Sequence, residues 1–234
     1  MKILKIGGSV ITEKKKNVFN VARLDKIREI CEVIARNREN LILVHGVGSF
    51  GHPYVEKYKL KERKDVYGVA ETHIACKKLN EMICETLLDL GVPVLPIHPL
   101  TFKFDFEFLK EMIDEGFLLV FHGDMVYNKG RFEVISGDEI VVKLADNLNV
   151  SRIGFATDVD GILIDGKVSE TFDKSMLKFI SLAVGKSDVT GGMRGKLEKI
   201  FNIKRRCDVF VFKGTAENIE RFLRGERVGT KVIL

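Results

Sequence analysis

The chain has no apolar run approaching the ~20 residues that a membrane helix needs, which argues against a span. Its four cysteines, Cys31, Cys76, Cys84 and Cys207, form no CxxC pair and have no paired histidines nearby. That spacing argues against a zinc site or a disulfide frame and for thiols in a reducing compartment. A signal-peptide pattern is missing as well, because Lys2 and Lys5 interrupt the short apolar start and a glycine turn follows. A cytoplasmic location is therefore expected. No concentrated basic face stands out: 38 Lys and Arg against 33 Asp and Glu leave +5, with the cations scattered along the chain. Such a balance suits small anionic substrates better than nucleic acid. Repeats, low-complexity tracts and Pro/Gly/Ser linkers are lacking, so 234 residues read as one domain.

The common nucleotide signatures are also absent. There is no GxxxxGK[ST] loop, "HGVGSFG" lacks the acidic residue and unit context of a dinucleotide fingerprint, and the eukaryotic-type kinase motifs do not occur. Any handling of nucleotide phosphates must use another architecture.

Short apolar runs alternate with longer amphipathic ones. The strand candidates are Lys2 to Ile6, Leu41 to His45, Val92 to Ile97, Leu118 to His122, Arg152 to Ala156, Val209 to Phe212 and Lys231 to Leu234. Helical patterns span Ala22 to Arg38, Val66 to Leu90, Phe106 to Glu115, Asp138 to Leu148, Met193 to Arg206 and Ala216 to Leu223. The alternation predicts an α/β fold, an open and mainly parallel sheet covered by helices on both faces. "YNKGRF" and "DVDGILIDGKV" read as inserted β-hairpins, with Asp160 a turn residue of the second. In such a sheet ligands gather beyond the carboxyl ends of the strands. Glycine-rich polar loops follow the strands there: "KIGGSVITEK", "HGVGSFGHP", "HGDMVYN" with "ISGDE", and "TDVDG". Exposed N–H groups at glycine turns, with Lys5 and Lys14 beside them, suit a phosphate.

These segments, with "DVTGGMRGK", occur in the order and spacing of the amino-acid kinase superfamily, and the chain resembles that family throughout. Within it, the histidine of "GSFGHP" and the Thr-Glu-Lys after the first loop are similar to the isopentenyl phosphate kinases. The resemblance implies an αβα sandwich with an acceptor part roughly at 1–150 and a nucleotide part roughly at 151–234. It implies ATP-dependent phosphorylation of isopentenyl phosphate to the diphosphate in isoprenoid synthesis, with Mg²⁺ accompanying ATP, metal ligands left open, and a homodimer.

Carried onto this sequence, the resemblance assigns Lys5, Lys14, His52 and Asp138 to catalysis. Lys5, Gly7, Gly8, Ser9, Gly48, Asp158, Gly192 and Lys196 go to ATP, and Val47, Gly48, His52 and Gly137 to the acceptor. Val69, His73 and Cys76, at i, i+4 and i+7, present one helix face and could line a small prenyl pocket or simply pack on the sheet. Lys14 could equally belong to a solvated run with Lys15 and Lys16. Asp138 stands where a carboxylate can cap a helix and also orient Lys5 and Lys14. His45 and His122 end strands and read as support for the loops. Family members usually carry glycine at the position of Val47; were φ > 0 required there, a β-branched residue would be strained by roughly 1–3 kcal/mol. Rival readings keep the fold but change the acceptor to a phosphonate such as fosfomycin, a carboxylate, a carbamate or a nucleoside monophosphate. Another is a non-catalytic binder of nucleotide or oxyanion.

Overall fold

In the computed structural model, which describes residues 1–13, 15, 18–180 and 192–234, the first apolar run forms β1 (Lys2–Ile6) and turns at Gly7 into α1 (Gly8–Ile11). Helix α2 (Leu24–Arg36) buries Ile27, Ile30, Cys31 and Ile34, a 3.6-residue recurrence that presses one stripe onto the sheet. Strand β2 (Leu41–His45) leads into a 3₁₀ turn at Gly48–Phe50 and a short helix, α3 (His52–Lys57). Then come α4 (Val66–Asp89), capped by the Asp65 side chain, β3 (Val94–Ile97), α5 (Phe106–Asp114), capped by Asp105, and β4 (Leu118–His122). The hairpin β5 (Asp124–Asn128) and β6 (Arg131–Ile135) precedes α6 (Gly137–Asn147) and β7 (Arg152–Thr157). A second hairpin, β8 (Leu163–Ile164) and β9 (Lys167–Val168), is followed by β10 (Thr171–Asp173) and α7 (Leu177–Ile180). The chain finishes with α8 (Gly192–Ile200), β11 (Asp208–Lys213), α9 (Ala216–Leu223) and β12 (Thr230–Ile233).

One sheet runs β10-β12-β11-β7-β1-β2-β4-β3, and β11–β12 is its antiparallel pairing. Strand β1 pairs in parallel with β2 on one side and β7 on the other, so the chain winds outward from β1 in both directions. Side chains alternate across this sheet. Leu4, Ile6, Leu43 and Val120 enter a core with α2, α4 and α9, whereas Ile3, Val44, Leu119 and Phe121 enter a second core with α5, α6 and α8. Each fully buried aliphatic side chain contributes roughly 1.5–3 kcal/mol, so these two cores hold the sheet rigid while its carboxyl rim carries loops. Both hairpins close through two-residue turns with positive φ, Lys129–Gly130 and Asp165–Gly166.

Several boundaries differ from the sequence reading. The turn of the second hairpin is Asp165–Gly166, and Asp160 stands before it, paired with Lys213 at 3.2 Å. The third strand begins at Val94 because the Val92 N–H is still spent on the Leu87 carbonyl at the end of α4. Helix α8 ends at Ile200 rather than Arg206, since Ile203 folds back under it and the cations beyond have nothing apolar to bury. The short turns α1 and α3 escaped prediction; four to six residues carry too little periodicity to register.

Candidate active site

Two glycine loops meet at the carboxyl rim, backbone against backbone. A Cβ on Gly8 would fall 2.8 Å from Gly48 Cα, and one on Gly46 would fall 2.5 Å from Gly8 N. Gly48 adopts φ +45, and a Cβ there would overlap Thr12 Oγ1. Only glycine permits this approach. Val47, between them, sits at φ −102, ψ −13, so its β-branched side chain is unstrained and the loop tolerates it. The fully buried Thr12, which opens the Thr-Glu-Lys stretch but received no role of its own from sequence, ties the two loops: Oγ1 donates to the Gly8 carbonyl at 2.8 Å and accepts from Ser49 N–H at 3.1 Å. Among the described residues no backbone acceptor faces the N–H groups of Gly8, Ser9, Val47 and Gly48. Gathered donors of this kind form a nest for an anion.

Lys5 leaves β1 on the α6 side of the sheet, 6% exposed. Its ammonium lies 3.0 Å from Asp138, and Lys196, from one turn into α8, contacts the same carboxylate at 2.9 and 3.0 Å. Asp138 does not cap α6. Ser136 does, accepting from Glu139 N while the Glu139 carboxylate accepts from Ser136 N in a capping box. The Asp138 side chain is thereby left to the lysines, and it holds Lys5 and Lys196. Burial would raise the Asp138 pKa, but the charges and hydrogen bonds of both ammonium groups keep it far below the usual carboxylate range. Lys196 is lowered, by burial first and then by the like charge of Lys5, with Asp138 opposing. Gly137 brings α6 close to the end of β2: a Cβ there would lie 3.3 Å from both the His45 carbonyl and Lys5 Cε.

His52 opens α3 beyond the second glycine loop with its side chain exposed. Its pKa is lowered, by desolvation from the surrounding protein first and then by the cations Lys61 and Lys5, so near neutral pH it stays a neutral imidazole that still carries one N–H donor. Behind it, Cys76 is buried against Phe50, Sγ 3.6 Å from the Phe50 carbonyl. Val69 packs in a small cluster with Leu60 and Met125. His73 is committed elsewhere: Nδ1 bonds the buried carboxylate of Asp124 at 2.8 Å. The helix face expected beside the acceptor thus mixes an apolar part, Val69 and Cys76, with a polar anchor.

Of the remaining expected residues, Gly7 donates to Ala156 O at 2.8 Å and so belongs to the strand junction. Ser9 lies in the first turn of α1 with its carbonyl accepting from Arg23. Asp158 stands exposed on the rim just past β7, and Gly192 begins α8 at φ +39. Lys14 lies outside the described residues, as does Thr190, which "DVTGGMRGK" offers from sequence as the cap of the following helix. Among the described residues no group of three His, Cys, Asp or Glu gathers as a metal site, and no helix is long and apolar enough to cross a membrane. His45 and His122, read from sequence as support for the loops, join a chain that the sequence did not show, ending at the half-buried His98: His98 Nδ1 lies 2.8 Å from His122 Nε2, and His122 stacks on His45.

Two lysines on one carboxylate beside interlocked glycine loops can neutralise and position several phosphate oxygens at once. The profile of the Amino acid kinase family matches residues 1–213. The isopentenyl phosphate kinase of Methanocaldococcus jannaschii is 38% identical over 98% of this chain and 97% of its own. An isopentenyl phosphate kinase solved by X-ray superposes with a TM-score of 0.84 at 28% identity, covering 99% of both chains. The product complex of the T. acidophilum isopentenyl phosphate kinase superposes at 0.81 with 28% identity over 100% of both. Sequence and fold agree from end to end, and the chain belongs to the amino acid kinase family, in the branch of the isopentenyl phosphate kinases.

Proposed function

We propose that this chain transfers the γ-phosphoryl group of ATP to isopentenyl phosphate, giving isopentenyl diphosphate and ADP. The observation that carries the reading is the pairing of Lys5 and Lys196 on Asp138 beside glycine-loop N–H groups that face no backbone acceptor among the described residues, with His52 across the rim. A phosphate oxygen of the acceptor attacks the γ-phosphorus while the bond to the β–γ bridging oxygen breaks. The acceptor is already anionic, so no general base is needed; what is needed is charge neutralisation and alignment. Lys5 meets the transferring phosphoryl oxygens, and Lys14 acts as the second lysine. Gly8, Ser9, Gly48 and Lys196 hold the nucleotide phosphates. His52 and the Val47 N–H hold the acceptor phosphate, and Val69 and Cys76 line its apolar side. Asp138 holds the ammonium groups of Lys5 and Lys196 together against their mutual repulsion. Magnesium accompanies ATP in this reading; the described residues offer it no carboxylate cage, so its ligands would be phosphate oxygens and water.

We read the chain as one domain, the acceptor part roughly at 1–150 and the nucleotide part roughly at 151–234. A cytoplasmic homodimer belongs to the same reading. Its support is the exposed Val66, Tyr67 and Ile74 on α4 and cysteines that are all free among the described residues. The deciding experiment measures ATP consumption with isopentenyl phosphate against fosfomycin, N-acetylglutamate and UMP. Isopentenyl phosphate should give by far the highest kcat/KM, and Lys5→Ala should lower kcat by on the order of 10²–10³. A faster rate with another acceptor, or no ATP consumption at all, would overturn the proposal.

A further inference from the structure

We propose that His45 is a positioning residue which, together with Val47, locks the Gly46–Val47 peptide so that the Val47 N–H faces the acceptor phosphate. This rests on the phosphate-transfer reading above, since it concerns the loop that would hold the acceptor.

His45 and His122 are register partners at the ends of β2 and β4, and both are fully buried on the α4 side of the sheet. Each makes the same local contact. His45 Nδ1 donates to the Gly46 carbonyl at 3.0 Å, and His122 Nδ1 donates to the Gly123 carbonyl at 2.9 Å. Gly123 N in turn donates to the His45 carbonyl at 3.1 Å, so the two His-Gly steps brace each other. With Nδ1 carrying its proton, neutral His45 accepts at Nε2, where the Asn80 amide lies 3.0 Å away. Turning the Asn80 NH₂ toward the ring satisfies that nitrogen and removes the buried Nδ2 that otherwise has no partner.

A trans peptide directs its C=O and N–H oppositely, and the described chain holds no cis bond. Because His45 draws the Gly46 carbonyl toward the α4 face, the Val47 N–H points to the other face, where Lys5 and Asp138 lie. The lock has a second half. Flipping this peptide would swing φ of Val47 from −102 to the positive region, which a β-branched residue resists. The Val47 side chain is also seated: a Cβ on Gly51 would be 3.2 Å from Val47 Cβ. With glycine at 47 the peptide would be free to turn, so valine here replaces backbone freedom with a fixed donor.

The test separates the two ring nitrogens. Asn at 45 places its NH₂ near the Nδ1 position, and Gln places its NH₂ near Nε2. His45→Asn should keep KM for isopentenyl phosphate within about twofold of wild type, while His45→Gln and Val47→Gly should each raise it by about tenfold, the worth of one hydrogen bond. KM for ATP should stay unchanged in all three. In ¹⁵N–¹H spectra of the whole protein, the Val47 amide should move on titration with inorganic phosphate in wild type and His45→Asn, and much less in His45→Gln. Should His45 variants fail to fold, Val47→Gly and the wild-type titration still decide. Equal KM in the Asn and Gln variants, unchanged KM in Val47→Gly, or a silent Val47 amide in an enzyme that turns over isopentenyl phosphate normally would overturn the lock. A responsive amide in a protein that does not turn over this acceptor would instead overturn the assigned reaction alone.

Discussion

At the scale of single residues, Asp138 governs the site. Its carboxylate holds two ammonium groups within 3.0 Å in buried surroundings, where each contact is worth several times its value in water. The cost falls on Lys196, whose charged form is disfavoured by burial and by Lys5. In the free enzyme Lys196 is therefore pushed down to about 8 from the ordinary lysine value of 10.5. Between those two values the native state binds fewer protons than the unfolded chain, so deprotonation there does not destabilise the fold. It removes instead the charge to which the proposed reaction assigns phosphate binding. The kcat/KM profile for ATP should fall on an alkaline limb below that of an ordinary lysine, and Lys196→Arg should shift that limb upward; an unmoved limb would rule Lys196 out as its source. His52 has the opposite character, exposed and ready to donate. His52→Ala should cost about 1.5–3 kcal/mol of acceptor recognition, seen as lower kcat/KM for isopentenyl phosphate with ATP binding unchanged, and His52→Gln, which keeps a donor, should retain more. An alanine variant equal to wild type would make the histidine a turn residue only.

At the scale of elements, the site exists because β1 and β2 end in loops that lie on each other. Thr12 is the pin between them. Thr12→Val keeps the shape and the bond from the residue-12 N–H to the Gly8 carbonyl but strands the Ser49 N–H, at a cost of about 1–3 kcal/mol. Tm should drop and KM for ATP should rise together, with Thr12→Ser restoring both. If Tm drops while KM for ATP holds, the pin serves the fold and not the nucleotide. Helix α6 contributes through its cap: because Ser136 and Glu139 satisfy the first turn between them, Asp138 can be spent on charge.

At the scale of the whole molecule, the polar residues between α4 and the sheet make stability depend on mild acid. His45, His98 and His122 all have lowered pKa values, in each case chiefly by burial, with Lys5 adding to it at His45, Lys77 and His73 at His98, and His45 and His98 at His122. Below the unfolded value of 6.5 the unfolded chain takes up protons that the native state refuses, so stability is full above 6.5 and declines as pH falls toward the folded values. Tm should fall as pH drops through about 6.5 and below. His122→Asn, which lacks the titrating ring but keeps a donor for Gly123, should flatten that slope; an unchanged slope would place the acid sensitivity elsewhere.

The alternation of apolar runs was enough, from sequence, to predict a parallel sheet with helices on both faces, because strands buried on both sides must read as continuous Val, Ile and Leu while amphipathic helices read at 3.6. The glycine loops and Lys5 could be read for a related reason, since a close backbone approach or a rim charge needs a particular residue at a particular strand end, whereas His52 and Lys196 were singled out by the family resemblance. Sequence could not decide which charges meet. Lys196 lies 58 residues from Asp138, and only the placement of α8 against α6 joins them; from sequence Asp138 could both cap the helix and orient Lys5 and Lys14, and the cap proved to be Ser136. Nor could it show that Val47 is unstrained, since φ at that position follows from two loops crossing. The histidines at 45, 98 and 122 look unrelated along the chain. Parallel register, a property of the folded sheet alone, sets His45 beside His122, and so decides what the buried imidazoles do.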